Sequence, residues 1–155
     1  MTDRGSVVEQ VARIAGERDL RVVTAESLTA GAIAQALASG SEAATWFGGG
    51  VVAYMDPVKF DVLKVDEGPV VSARCAEQMA QGACRLLSAD VAVASTGVGG
   101  PGPREGLAPG TVFVSIATGD GFVTRKLQLQ GAPEEVLAQT LDHALELLVD
   151  VLGDS

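Results

Sequence analysis

Apolar residues recur along this chain at two different spacings, and the spacing predicts where helices and strands lie. From residue 6 to residue 18 apolar side chains recur every three or four positions, which is the period of an amphipathic helix. Short apolar runs bounded by glycine or charge are typical of buried strands. The pattern predicts helices over 6–18, 31–39, 72–87 and 133–152, a short helical turn over 41–45, and strands over 20–25, 50–54, 89–95, 110–118 and 122–129.

The order of these elements indicates the fold class. Strands that alternate with helices are typical of an α/β layered domain. The last two strands are joined by Gly119-Asp120-Gly121, a hairpin turn signal, so we expect a mixed sheet rather than a purely parallel one. No internal repeat or linker interrupts the pattern, and we expect residues 1–155 to form one domain.

Composition excludes several classes of protein. Hydrophobic residues make up 47% of the 155, which excludes a disordered chain, and no apolar run is long enough to span a membrane. The first residues lack the apolar core of a signal peptide, so we expect a soluble cytoplasmic protein. The net charge is −9 and the 11 lysines and arginines are scattered, so we expect neither nucleic acid nor a membrane as a partner.

Cysteine and histidine usage predicts neither a disulfide nor a metal site. Cys75 and Cys84 lie on one predicted helix, where the rise per residue puts them roughly 13 Å apart, too far for a disulfide. The chain has one histidine, His143, and no cysteine pair at the spacing of zinc ligands. We therefore expect no metal ion and no cofactor.

A strand-to-helix turn carries the first candidate for chemistry. The stretch 24–31 follows an apolar run and precedes a helix of small residues, and it holds a carboxylate and hydroxyls. Backbone N–H groups at a helix N-terminus are unpaired and partly positive, so a hydroxyl held there faces donors for an oxyanion or a phosphate. Ser27 is the candidate nucleophile on this argument. The alternative is that Ser27 or Thr29 only caps the helix.

A lysine after the second strand is the candidate base. Asp56 is a good N-cap and Pro57 suits the first helical position, so Lys59 is expected in the first turn of a helix, where a cation is disfavoured. An amine destabilised in its charged form can act as a base, and Tyr54 could relay a proton or orient it. The alternative is a solvated surface lysine.

A glycine-rich loop follows the third strand. Gly97-x-Gly99-Gly100-x-Gly102 is a weak match to nucleotide-binding motifs, because prolines argue against a helix starting in the loop and no Walker-type Gly-Lys-Ser/Thr is present. Glycine still lets bare N–H groups approach a ligand closely. The alternative is a long surface loop without a binding role.

These elements are expected to meet at one edge of the sheet. Ser27, the pair Tyr54 and Lys59, and Thr96 each follow a predicted strand, and ligands of open α/β sheets bind beyond the carboxyl ends of strands. His143 lies within the last predicted helix, so a serine nucleophile would need another base, and lysine is a known substitute. The residues therefore indicate acyl transfer to water, such as amide hydrolysis, without a metal.

Four segments of the chain resemble one known family. Thr-Ala-Glu-Ser-Leu-Thr-Ala-Gly at 24–31 resembles the Thr-Ala-Glu-Ser-Cys-Thr-Gly-Gly signature of the C-terminal domain of the competence/damage-inducible protein CinA. Gly-Gly-Val-Val-Ala-Tyr-Met-Asp-Pro-Val-Lys at 49–59 resembles that family's Gly-Val-Val-x-Tyr-Ser-Asn-Glu-Ala-Lys segment. The segment 95–101 is similar to its Ser-Gly-Ile-Ala-Gly-Pro loop, and 109–114 to its Val-Gly-Thr-Val-Tyr strand. The four matches keep their order and cover nearly the whole chain.

The resemblance implies a fold and an activity. It implies a three-layer α/β/α domain with a mixed sheet of about five to six strands, commonly a homo-oligomer. Stand-alone members are nicotinamide-nucleotide amidases, which hydrolyse the carboxamide of nicotinamide mononucleotide to the acid and ammonia in pyridine nucleotide recycling. Ser27 would be the nucleophile, Lys59 the general base and Tyr54 an assisting group. The residues expected to bind the substrate are Glu26, Thr29, Ala30, Gly31, Thr96, Gly97, Gly99, Gly100 and Arg104.

The chain also departs from the family pattern. Family members tend to carry arginines at the positions of Pro133 and Leu137, where cations would suit a phosphate, and the intervening Glu134 and Glu135 would repel one. Arg104 is a candidate substitute. Two alternatives to the mononucleotide amidase therefore stay open, namely a nucleotide-binding or regulatory module with reduced catalysis, and an amidase for an amide without phosphate.

Overall fold

A computed structural model describes residues 3–153 of the chain. The helices and strands follow one another as α1 (Arg4–Glu17), β1 (Val22–Glu26), α2 (Ala32–Ala38), α3 (Ala43–Trp46), β2 (Phe47–Val52), α4 (Asp56–Asp61), α5 (Ala73–Leu87), β3 (Val91–Gly97), β4 (Thr111–Thr118), β5 (Gly121–Gln128) and α6 (Pro133–Gly153). Most predicted bounds lie within two residues of these.

The strands form one mixed sheet in the order β2-β1-β3-β4-β5. β1 pairs in parallel with β2 and β3, whereas β3 with β4 and β4 with β5 are antiparallel. Thr118 pairs with Gly121 across the predicted hairpin turn. The expected mixed α/β sheet is confirmed, and it has five strands.

Helices cover both faces of the sheet. One apolar cluster packs side chains of α1, α2 and α6 against the face that carries Val22, Val93 and Ile116. A second packs α5 against the opposite face, which carries Ala25 and Ala94. β1 lies in the middle of the sheet and every one of its residues is buried, so its C-terminal end is held from all sides. The expected three-layer arrangement is confirmed.

The largest boundary error concerns β2. The prediction placed this strand over 50–54, but the strand begins at Phe47, includes all three glycines from Gly48 to Gly50 and ends at Val52. β2 pairs with β1 so closely that a Cβ on Gly50 would overlap the hydroxyl of Thr24. The glycines therefore allow the strand to pack here.

Helix starts agree with the prediction in one case and differ in another. Ser72 caps α5 as expected, since its hydroxyl accepts a hydrogen bond from the backbone N–H of Cys75 at 3.0 Å. The predicted N-cap Asp56 is wrong, because Met55 occupies the cap position and Asp56 is the first residue of α4. α4 has only 6 residues, so Lys59 also lies in its last turn and the argument from the helix dipole loses force. Within residues 3–153 no helix is both long and apolar enough to cross a membrane.

Candidate active site

The turn after β1 is held by a buried carboxylate. Glu26 has no exposed surface, and its oxygens accept hydrogen bonds from the N–H groups of Ile33 and Ala34, both at 2.9 Å, and from the Thr29 hydroxyl at 2.7 Å. Gly31 also donates to it, at 3.2 Å. Glu26 therefore satisfies the unpaired N–H groups at the start of α2, a role usually taken by a capping side chain.

Neither hydroxyl proposed as a helix cap has that role. α2 begins at Ala32, and its N-cap is Gly31, with φ of 102° and no side-chain cap. The Thr29 hydroxyl is buried between Glu26 and the Ser95 hydroxyl, which lies 2.8 Å away. The alternative that Ser27 or Thr29 caps α2 is therefore wrong, and the N-terminal donors of α2 are already taken.

Ser27 lies beside the ends of the two strands that flank β1. Its N–H donates to the Ser95 carbonyl at 3.1 Å, and the Ala53 N–H donates to the Glu26 carbonyl at 2.7 Å. Val23 and Ala25 point to the α5 face, and Ser27 is next in that alternation. Within residues 3–153 the Ser27 hydroxyl forms no hydrogen bond that would hold it elsewhere.

A cleft of about 670 Å³ opens at this edge of the sheet. It is lined by the β1–α2 turn, the glycine-rich loop and the start of α6: Ser27, Leu28, Tyr54, Gly97, Val98, Gly99, Gly100, Gly102, Pro103, Arg104, Pro133, Glu134 and Leu137. The Tyr54 side chain is 62% exposed, so its ring is available to a ligand in the cleft. Residues that follow β1, β2 and β3 thus line one cleft, as expected from the strand order, and its role as a ligand site stays a prediction.

Backbone donors are available inside the cleft. In the part of the chain that the structure describes, the N–H groups of Leu28, Gly99 and Gly100 form no hydrogen bond. All three residues line the cleft together with Ser27. Unpaired N–H groups beside a nucleophile are the usual material of an oxyanion hole.

Lys59 is buried rather than solvated. Its side chain has no exposed surface, and its amine donates to the Tyr54 carbonyl at 3.0 Å and to Asp56 Oδ1 at 3.4 Å. The alternative of a solvated surface lysine is therefore wrong. No hydrogen bond joins the Lys59 amine to the Ser27 hydroxyl in this structure, and Lys59 does not line the cleft directly. The backbone of Tyr54 is the link between the amine and the cleft.

Thr96 and Cys75 lie under the cleft rather than in it. The Thr96 side chain is buried and its hydroxyl donates to the Val70 carbonyl at 2.6 Å. Cys75, on α5, is close enough to Lys59 for the two charges to interact, but desolvation raises the pKa of its thiol to about 11. The thiol therefore stays neutral near physiological pH and does not compete as a nucleophile.

Arg104 is already engaged. Its Nη2 donates to both carboxylate oxygens of Asp56, at 2.8 and 2.9 Å. Partial burial alone would raise the pKa of Asp56, but the hydrogen bonds and positive charges of Arg104 and Lys59 outweigh it and hold that pKa below its ordinary value. The cation proposed to receive a phosphate is thus paired with a carboxylate in this structure.

The start of α6 gives the cleft an acidic and apolar rim. Glu134 lines the cleft beside Pro133 and Leu137, so neither of these two positions supplies a cation to it. Glu135 accepts a hydrogen bond from the Ala132 N–H at 2.9 Å and so satisfies a backbone donor at the N-terminus of α6. This rim therefore carries a carboxylate and apolar side chains, which would not favour an anionic group bound beside it.

The structure brings some of the predicted site residues to the cleft and places others behind it. Ser27, Tyr54, Gly97, Gly99, Gly100 and Arg104 line the cleft. Glu26, Thr29, Ala30, Gly31, Lys59 and Thr96 do not. Seven lining residues were not among the predicted site residues. Four lie within or next to the motifs that pointed to the site, namely Leu28, Val98, Gly102 and Pro103, and three lie at the start of α6, namely Pro133, Glu134 and Leu137.

A second cavity has no link to these motifs. It has a volume of about 640 Å³ and lies at the opposite edge of the sheet, beside Leu20, Val91 and Thr118. Among residues 3–153 no group of three or more His, Cys, Asp or Glu side chains is arranged to hold a metal ion. The cleft at Ser27 is therefore the candidate active site.

Comparisons with known proteins match the whole chain to one family. The family model of the CinA C-terminal domain matches residues 4–152. A CinA-like protein of Mycolicibacterium gilvum is 40% identical over 153 residues, which cover 94% of this chain and 36% of that protein. The chain spans about a third of the length of the curated relatives it matches.

Solved structures agree over nearly the full chain. A CinA superfamily protein from Klebsiella pneumoniae superposes with a TM-score of 0.94 at 31% identity, covering 99% of this chain and 100% of that one. A second CinA superfamily protein, from Escherichia coli, superposes with a TM-score of 0.93 at 31% identity, covering 96% and 90%.

Proposed function

This chain belongs to the CinA C-terminal domain family, and from that premise we propose that it is an amide hydrolase with Ser27 as the nucleophile. The single observation that carries the proposal is the position of Ser27, whose unbonded hydroxyl lines a cleft together with unpaired backbone N–H groups. The proposed substrate is nicotinamide mononucleotide, converted to nicotinate mononucleotide and ammonia, as the resemblance to stand-alone members implies. One domain, residues 1–155, would carry the activity.

The proposed reaction is acyl transfer to water in two stages. The neutral amine of Lys59 takes the proton of the Ser27 hydroxyl as that oxygen attacks the carboxamide carbon. Cleft N–H groups stabilise the negative charge on the former carbonyl oxygen. The C–N bond then breaks, and the leaving nitrogen takes the proton from Lys59 and departs as ammonia. Water, deprotonated by the same amine, hydrolyses the ester on Ser27 and releases the carboxylic acid.

The proposal requires the Lys59 amine to move towards Ser27. Its amine is held by the carbonyl of Tyr54, and the side chain of that same residue lines the cleft beside Ser27. Hydrogen bonds between nucleophile and base are often long or absent before substrate binds, and they shorten in the complex. We expect a substrate that contacts the exposed Tyr54 ring to shift the backbone of Tyr54, whose carbonyl holds the Lys59 amine.

Ammonia release from nicotinamide mononucleotide tests the proposal. Ser27→Ala is expected to lower kcat by about a thousandfold or more, because the nucleophile is lost. Lys59→Met, which keeps an unbranched side chain in the buried position but removes the amine, is expected to lose activity to a similar degree. Ser39→Ala is the matched control, since its exposed hydroxyl only bonds the Ala36 carbonyl of its own helix. Equal rates for wild type and Ser27→Ala would exclude the mechanism.

A binding measurement beside the ammonia assay separates hydrolysis from binding alone. Calorimetry on the wild-type protein measures whether the mononucleotide binds. Binding with no ammonia release would replace the hydrolase with a nucleotide-binding or regulatory module. Sedimentation of the same sample tests the homo-oligomer that the resemblance implies, which stays a prediction.

A second candidate substrate is favoured by the rim of the cleft. Arg104 is paired with Asp56, and Glu134 lines the cleft where a phosphate would need a cation. Nicotinamide riboside lacks the phosphate that a carboxylate would repel, and it keeps the positively charged pyridinium that both substrates share. A higher kcat/KM for the riboside than for the mononucleotide would favour this reading.

A substitution at the rim tests the reason for any such preference. Glu134→Gln is expected to raise kcat/KM for the mononucleotide several-fold relative to the riboside, because it removes a repulsive charge. Glu42→Gln, at an exposed carboxylate before α3, is the control and should leave the ratio unchanged. An unchanged ratio in Glu134→Gln would show that this carboxylate does not select the substrate.

A further inference from the structure

One carboxylate lies between the two cations of the site. Asp56 Oδ1 is 3.4 Å from the Lys59 amine and 2.8 Å from Arg104 Nη2, which also donates to Oδ2 at 2.9 Å. The Lys59 side chain has no exposed surface, whereas those of Asp56 and Arg104 are 34% and 43% exposed. Asp56 therefore meets Lys59 on its inner side and Arg104 on the solvent side.

We propose that Asp56 and Arg104 are positioning residues that set the proton affinity of Lys59, with Arg104 offsetting the carboxylate so that the amine can act as a base. This inference rests on the proposed function, in which Lys59 must shed a proton. A carboxylate next to an amine favours the charged ammonium form, and a nearby guanidinium disfavours it. Asp56 and Arg104 therefore act on the Lys59 amine in opposite directions, and the arginine is the compensating partner.

The other titratable groups near this pair, Cys75 and Glu105, form no hydrogen bond with the Lys59 amine in the described part of the chain. Among residues 3–153 the amine bonds only to the Tyr54 carbonyl and to Asp56. On α5, Cys75 faces Lys59 as a neutral thiol. Glu105, in the glycine-rich loop, acts on that thiol from a distance, and its carboxylate is held by the N–H groups of Val70 and Val71 at 2.9 Å each.

The position of Arg104 is built into the loop that lines the cleft. The backbone of Arg104 forms two hydrogen bonds with that of Leu107, at 3.1 and 2.8 Å, which close the turn around Glu105. Glu105 then ties the turn to the segment before α5. The loop that carries Arg104 is therefore held in place by its own hydrogen bonds, and this fixes where the guanidinium meets Asp56.

The test measures kcat/KM against pH in single and double variants. Asp56→Asn keeps the shape of the side chain and removes its charge, so the acidic limb of the profile is expected to move down by about 1 pH unit. Arg104→Gln leaves the carboxylate uncompensated, so the limb is expected to move up by about half a unit or more. The double variant should lie between them, and Arg104→Lys should restore the wild-type profile in part.

Arg4→Gln provides the control. Arg4 forms a comparable surface ion pair with Asp142 at 2.8 Å, on the α1 and α6 side of the molecule. Its removal should leave the limb where it is. Movement of the limb in the same direction in Asp56→Asn and Arg104→Gln, or in neither, would overturn the inference.

A readout independent of turnover distinguishes this inference from the proposed function. The lysines of the chain are Lys59, Lys64 and Lys126, so the side-chain signals of protein labelled with ¹³C- and ¹⁵N-lysine can be assigned with Lys64→Arg and Lys126→Arg. The titration midpoint of the Lys59 signal should shift down in Asp56→Asn and up in Arg104→Gln. Opposite shifts without any amide hydrolysis would end the proposed function and support the inference. Hydrolysis with an unmoved Lys59 midpoint would overturn the inference alone.

Discussion

Removing the carboxylate of Glu26 is expected to destabilise the protein strongly. In the Glu26→Ala variant the N–H groups of Ile33 and Ala34 lose their acceptor, and the buried hydroxyl of Thr29 keeps only its contact with Ser95. A buried donor left without a partner costs its full desolvation penalty, and bonds to a charged acceptor are the stronger kind. The start of α2 would lose the group that holds it to β1.

The geometry gives the size of the effect. Three of the bonds to Glu26 are short, between 2.7 and 2.9 Å. Each charge-assisted bond contributes about 1.5–3 kcal/mol, and removing the carboxylate also removes the cost of burying its charge. The net loss in free energy of unfolding is therefore expected to be about 3–5 kcal/mol. Glu26→Gln keeps the shape but turns one acceptor into a donor that faces an N–H group, so it should lose about half as much.

Urea unfolding followed through Trp46 measures this loss. Trp46 is buried, with 2% exposed, and its indole N–H donates to the Ser41 carbonyl at 2.9 Å, so its fluorescence reports the packing near α2. Glu135→Gln is the matched control, because that carboxylate caps α6 through the Ala132 N–H at the surface and should cost under about 1 kcal/mol. A loss below about 1 kcal/mol in Glu26→Ala would refute the role of Glu26 as the anchor of α2.

Three further substitutions, two on α5 and one on α1, test the effects of close packing and burial. Gly82→Ala is expected to cost about 2–3 kcal/mol, since a Cβ would overlap the Leu63 carbonyl, whereas Gly16→Ala meets no atom within 4 Å and should stabilise α1 by up to about 1 kcal/mol; urea midpoints decide both. For Cys75, burial raises the thiol pKa from 9.0 to about 11, so the folded state keeps a proton that the unfolded state loses. The free energy of unfolding should therefore fall by about 2–3 kcal/mol as the pH rises from below 9 towards 11. Cys75→Ala should remove this contribution to the pH dependence. Parallel losses in wild type and variant would contradict the assignment.

Local periodicity was sufficient to predict most of the fold. The helical repeat of α1, the Ser72 cap of α5 and the hairpin turn at 119–121 each depend on neighbours in sequence, and the structure has all three. The edge of the sheet that forms the cleft also followed from order alone, because parallel strands end together. The inclusion of the glycines in β2 could not be predicted from sequence, because the need for glycine at position 50 comes from Thr24 on the neighbouring strand.

The roles of the acidic side chains could not be predicted from sequence. The sequence around Asp56 predicts a helix cap. Its hydrogen bond with Arg104 forms only in the folded chain, because the two residues are 48 positions apart. Glu26 reads as part of a ligand motif, yet its partners are the N–H groups of the helix that follows. In both cases a local signal identified the right segment, and a contact formed in three dimensions decided what the side chain does.

Several of the acidic side chains hold parts of the fold together around the cleft. Glu26 holds the β1–α2 turn, Glu105 holds the glycine-rich loop to the segment before α5, and Glu135 caps the start of α6. Asp56 joins that loop to α4 through Arg104. Each wall of the cleft is thus fixed by a carboxylate that accepts from backbone N–H groups or from a guanidinium. A net charge of −9 therefore does not by itself indicate a cationic partner, because several of these acids have partners within the fold. The exception is Glu134, which lines the cleft at its rim, and for that reason it is the carboxylate expected to act on a ligand.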